Sequence, residues 1–156
     1  MSAAAALVQG CAEEAAATTG ESDLRERSEL ETALGFGATG ARPRQAQSAI
    51  KELEDQQRAR GKRAQRDALD RALTELTGPY RDVLALQTAP ATPLVNVELS
   101  DSVAGLARAG SAEVTLRRID AILACRQALE GNVAPLLAVE AMMIALSAGT
   151  LPALFD

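Results

Sequence analysis

From Arg44 to the Gly78-Pro79 step the chain contains no proline. A helix over that stretch would take in about 34 residues and reach roughly 50 Å at the standard rise. A helix of that length is stable in water when other elements cover one of its faces. Its second half supplies such a face, because Leu69, Leu73, Leu76, Tyr80 and Val83 alternate steps of four and three. Pro79 lacks the amide that an interior helical position donates, so it is expected to kink or restart the helix. The rest of the chain points the same way. Ala, Leu, Glu, Arg and Gln dominate, while the 156 residues include one Tyr, two Phe and no Trp. The expected fold is all-α, a helical bundle with one long helix.

Local stop and start signals divide the remainder. Residues 1–36 read as a two-helix segment, the first helix from Ala3 to Thr18 stopping at Gly20, the second opening near Ser22 and ending before Gly35. Asp23 and Glu26 have the spacing of a capping box at that second start. Residues 37–43 form a Gly-rich linker. Residues 44–147 form the main helical domain, and 148–156 a frayed tail. Within the domain Gln87–Pro93 holds two prolines and reads as a loop. Ser100 is placed to cap a short helix closed by Gly110, and Ser111 to open another that runs to Glu130. Gly131-Asn132 ends it, and Pro135 sits in the first turn of a last helix that reaches Ser147.

Composition excludes several kinds of chemistry. The chain has no histidine, which removes Ser-His-Asp and Cys-His nucleophile systems and the commonest zinc sites. Cys11 and Cys125 match no metal or redox spacing and are expected to be buried, reduced thiols. No cofactor, metal or catalytic residue is expected, so the chain is read as a non-enzyme. Gly35-Phe36-Gly37-Ala38-Thr39-Gly40 has the letters of a dinucleotide fingerprint, but helix rather than strand precedes it, and the motif works by holding a pyrophosphate between a strand and a helix. Leu7 to Cys11 resembles a lipoprotein cleavage box without the basic residues that should precede one. No apolar run is long enough for a membrane span, and the expected location is the cytoplasm.

Charge is unevenly distributed. Residues 1–40 carry net −5, residues 41–66 net +5 and the remainder net −5. Arg58, Arg60, Lys62, Arg63 and Arg66 therefore form a basic stripe on an acidic chain, a weak candidate for contact with a polyanion or a protein partner. In the last two helices a charge falls within each apolar arc, Arg126 in one and Glu140 in the other. The expectation is that they pair in a buried seam, since an unpaired charge there would cost several kcal/mol. The final helix is apolar around more than half its circumference, which calls for cover on two sides. Leu30, Ile50, Leu53 and Met142-Met143 read as packing residues.

Four runs carry a family resemblance: Gln65-Arg66-Asp67-Ala68-Leu69-Asp70-Arg71-Ala72-Leu73, Tyr80-Arg81-Asp82-Val83-Leu84, Arg118-Ile119-Asp120-Ala121-Ile122-Leu123-Ala124-Cys125-Arg126, and Asn132-Val133-Ala134-Pro135-Leu136-Leu137-Ala138-Val139-Glu140. In this order they resemble the C-terminal part of the bacterial DNA polymerase III delta-prime subunit, actinobacterial type. Lys51 to Arg60 is similar to that family's segment before the C-terminal domain. The resemblance covers residues 43–147, and residues 1–42 look like the end of a preceding lid domain. It implies a clamp-loader subunit whose helical domain joins those of delta-type and gamma/tau-type neighbours in a circular collar. The collar holds the pentamer together during sliding-clamp loading, and DNA is met indirectly, through the assembly. The family's N-terminal ATPase-like module has no counterpart in these residues, so the implied role is subunit assembly. The residues by themselves leave two other readings open: a free-standing helical scaffold or adaptor, and a helical module binding nucleic acid through the stripe at residues 58–66.

Overall fold

The computed structural model describes residues 2–35 and 44–148, and these are helical throughout apart from turns and one loop. The helices are α1 (Ala3–Ala33), α2 (Arg44–Thr88), α3 (Ser100–Ala109), α4 (Ala112–Glu130) and α5 (Pro135–Ala148), with a 3-10 turn at Val97–Leu99 before α3. The expected linker at 37–43 and the tail beyond Ala148 lie outside the described residues, as does most of the glycine-rich Gly35–Gly40 motif.

Two differences from the expected helices have physical causes. Gly20 does not stop a helix, and α1 continues through it to Ala33. A mid-helix glycine costs about 1 kcal/mol against alanine, which neighbouring turns can outweigh. Asp23 and Glu26 consequently lie inside α1 and do not cap a new helix; their carboxylates meet Arg60 instead. The stop falls at Gly35, whose φ of +72° is the left-handed conformation that glycine adopts at a helix C-terminus.

At the second difference α2 runs on through Pro79 to Thr88. Interior proline costs about 3 kcal/mol. Burial of Leu69 and Leu73 before it, and of Val83 and Asp82 after it, holds both flanks of the helix in place. Gly78 has a packing role here: a Cβ at that position would lie 3.2 Å from the Asn96 side-chain nitrogen, so glycine leaves room for Asn96.

The chain forms two compact units, which divide within α2 between Ala68 and Leu69 and not at the glycine-rich segment. One unit, residues 9–68, is a helical hairpin of α1 and the first part of α2. Its fully buried apolar side chains are small: Cys11, Ala15, Ala46 and Ala68. Leu30, Leu34, Ile50 and Leu53 are half-buried, and Leu24 is exposed. Two helices without a third layer cannot enclose a leucine on all sides.

The other unit comprises, among the described residues, 2–8 and 69–148. Its core contains Leu69, Leu73, Val83, Val103, Ile122, Cys125, Leu129, Val139 and Met142. Ser100 turns out to be the first residue of α3, with Leu99 in the cap position and no side-chain cap. Ser111 does cap α4, accepting from the Val114 amide.

Candidate functional site

The α4–α5 hairpin is built by local chemistry already visible in the chain. Gly131 N–H donates to the Gln127 carbonyl and Val133 N–H to that of Ala128, while Asn132 takes a φ of +63°. Asparagine tolerates that left-handed turn better than other residues with a Cβ. Pro135 then opens α5 where no amide donor is required. Ile122, Cys125 and Leu129 of α4, and Val139, Met142 and Ala145 of α5, are buried in the unit's core.

The opposite side of α5 is also apolar. At 100° per residue Leu136, Glu140, Ile144 and Leu137 fall within about 100° of one another. Leu137 is 54% exposed and Ile144 64%, with Leu136 at 41%. On α4 the exposed residues Leu116, Asp120 and Leu123 share a similar arc. Leu136 and Leu137 in the first turn of α5 and Ile144 two turns later form the kind of exposed apolar surface that a partner covers.

The expected Arg126–Glu140 pair does not form. Arg126 Nε donates to Asp70 Oδ1 at 2.7 Å and its Nη2 to Oδ2 at 3.2 Å, joining α4 to α2, while Glu140 is exposed. That hydrogen-bonded carboxylate raises the Arg126 pKa above its ordinary value. A long arginine at the edge of a helix interface can reach either neighbour, and its position on α4 does not say which. Glu140 was placed inside an apolar arc wide enough to include both the core side and the solvent side of α5. Arg118 ties the other end of the hairpin: its Nε donates at 3.1 Å to the Leu146 carbonyl in the last described turn of α5.

Two further polar nodes hold this unit, and neither was picked out from the sequence. Asp82 is fully buried on α2. Its Oδ2 accepts from the Asn96 amide at 2.8 Å, from Asn96 Nδ2 at 2.7 Å and from the Val95 amide at 3.2 Å. Burial, the largest single influence, pushes the Asp82 pKa up, but the Asn96 and Val95 donors and the Arg81 charge together outweigh it and the carboxyl is held below its ordinary range. Gln87 forms the second node. Its Nε2 donates to the carbonyls of Ala107 and Gly110 at the end of α3, while its Oε1 accepts from the buried Thr115 hydroxyl at 2.8 Å. A spacing signal for either was lacking, because the partners are 13 to 28 residues apart.

In the hairpin unit the basic stripe separates into two faces. Arg60 turns toward α1, where Nη1 donates to Glu26 Oε1 at 2.9 Å and Nη2 lies 3.1 Å from Asp23 Oδ1. The Arg60 hydrogen bond draws the Glu26 carboxyl below its ordinary pKa, and burial opposes the shift. Gln57 Nε2 donates to the Asp23 carbonyl, and Arg27 pairs with Glu54 at 3.1 Å. Arg58, Lys62, Arg63 and Arg66 are exposed, Arg58 lying 2.8 Å from Asp55. The stripe is therefore partly neutralised by carboxylates of its own chain.

Cys125 is fully buried, and desolvation pushes its thiol up to about 11, so it is not a nucleophile near neutral pH. Among the described residues no three His, Cys, Asp or Glu side chains converge as a metal site requires. No described helix is long and apolar enough to cross a membrane. Compared with known proteins, the chain matches no family model, no curated protein and no solved structure.

Proposed function

We propose that this chain is a non-catalytic oligomerisation domain of a DNA replication clamp-loader subunit, which helps to hold the clamp-loader pentamer together during sliding-clamp loading. One observation carries the assembly part of this reading. Helix α5 buries Ala138, Val139, Ala141, Met142 and Ala145 on one side and exposes Leu136, Leu137 and Ile144 on the other. Covering a half-exposed leucine or isoleucine contributes about 1 kcal/mol, so a partner laid along α5 would gain several-fold that amount. The partner's identity rests on the resemblance of residues 43–147 to the delta-prime C-terminal region. Other clamp-loader subunits, of the delta and gamma/tau types, would then be the neighbours, and DNA would be met indirectly through the assembly.

Light scattering of the full chain, alone and mixed with the C-terminal domains of delta-type and gamma/tau-type subunits, tests the reading. The expected result is a stoichiometric mixed complex that Ile144→Asp abolishes. A self-oligomer that ignores those subunits would replace the collar role with that of a free-standing scaffold.

A further inference from the structure

Resting on the reading of α5 as an assembly surface, we infer that its occupant is an amphipathic helix of another polypeptide, one that presents a lysine or arginine between its aliphatic residues, and not a second copy of this chain.

Glu140 is the sole charged residue of α5, and it is exposed in the middle of the apolar arc, one turn after Leu136 and one turn before Ile144. A partner helix that covers Leu136, Leu137 and Ile144 must also cover Glu140. Desolvating a carboxylate without a counter-charge is costly, so a partner supplying a base there gains what an all-apolar helix would lose. The exposed face of α4 is acidic as well, with Asp120 exposed beside Leu116 and Leu123 and Glu130 exposed at the end of the helix. Arg117 stands at the edge of that α4 face, and Arg118 and Arg126 are turned to Leu146 and Asp70. Glu140 thus stands at the centre of the α5 arc, and Asp120 at the edge of the α4 arc.

The same arrangement disfavours self-pairing. A two-fold contact of α5 against α5 is self-complementary, so any overlay that covers both arcs brings two Glu140 carboxylates into one dry interface. Like charges so placed suppress the wrong partner, and an opposite charge selects the right one.

The test titrates the full chain with two synthetic helical peptides that have leucines at i, i+1 and i+8 and differ at i+4, one carrying lysine and the other glutamate. The lysine peptide is expected to bind at least about tenfold more tightly than the glutamate peptide, with the preference reversed in Glu140→Lys and both lost in Ile144→Asp. Each substitution is on an exposed position, and circular dichroism checks that the helices persist. Equal binding of the two peptides overturns the charge selection but leaves the assembly surface standing. Binding of neither peptide overturns the inference, and the mixing experiment with clamp-loader subunits then decides whether the assembly reading falls too. A wild-type dimer that Ile144→Asp dissolves overturns the exclusion of a second copy.

Discussion

The two units are made of the same kind of helix and are held together differently. In the unit containing residues 69–148, large aliphatics are fully enclosed and the buried Asp82 carboxylate fastens the one loop to α2. In the hairpin of residues 9–68, the enclosed apolar groups are alanines and a cysteine, and α1 meets α2 through the Arg60–Glu26, Arg60–Asp23 and Arg27–Glu54 pairs. Burial of aliphatic surface is not screened by salt, whereas half-exposed ion pairs are. The comparison teaches that helical propensity is spread evenly over this chain while enclosed aliphatic surface is concentrated in its second half.

The largest expected contrast comes from matched deletions. Ile122→Ala, in the enclosed core, should destabilise its unit by about 3 to 4 kcal/mol, against about 1 kcal/mol for Leu53→Ala in the hairpin. Urea unfolding followed by circular dichroism and by amide exchange reads both, and equal costs would break the contrast.

Asp82→Ala comes next, at about 2 to 3 kcal/mol, because three donors lose their acceptor in a buried place. Amide exchange should quicken first at Val95 and Asn96. Retained protection there would show that the loop is held by packing instead.

Gly20→Ala should stabilise the hairpin by about 0.5 to 1 kcal/mol, since Gly20 is mid-helix and a Cβ there meets nothing within 4 Å. The melting temperature of the hairpin signal should rise while that of the bundle stays put.

A double-mutant cycle on Arg126→Met and Asp70→Ala should give a coupling below about 1 kcal/mol, and the cycle with Glu140→Met a coupling near zero. The reverse order would restore the pairing first expected from the sequence.

Acid should loosen the hairpin modestly. The Glu26 carboxyl, with an ordinary value of 4.5, is lowered in the folded chain by Arg60. Its contribution is complete above pH 4.5 and is lost as the pH falls through the lowered folded value. Loss of hairpin protection between pH 7 and 5 would assign it to another group.

Much of the fold could be read from residues. Gly35, Ser111, Gly131-Asn132 and Pro135 lie at helix ends because their chemistry acts within a few residues of itself. Gly20, where α1 does not stop, and Pro79, where α2 does not restart, show the complementary case. A local breaker costs about 1 to 3 kcal/mol, and contacts elsewhere decide whether that cost is met. The apolar excess of α5 was legible from composition alone. Glu140's place on its exposed side was not, because a nearly all-apolar helix gives its periodicity no direction.

By itself, then, the sequence determined the helical class, the ends of α4 and the start of α5, and the presence of more apolar surface on α5 than one core can use. Tertiary structure decided that Arg126 meets Asp70, that Arg60 turns inward while Arg58 and Lys62 face solvent, and that Asp82 is buried beneath Asn96. Helical periodicity fixes the angle of a side chain about its own axis. The element that stands at that angle depends on how the helices are laid against one another, and contacts between residues far apart in the chain set that.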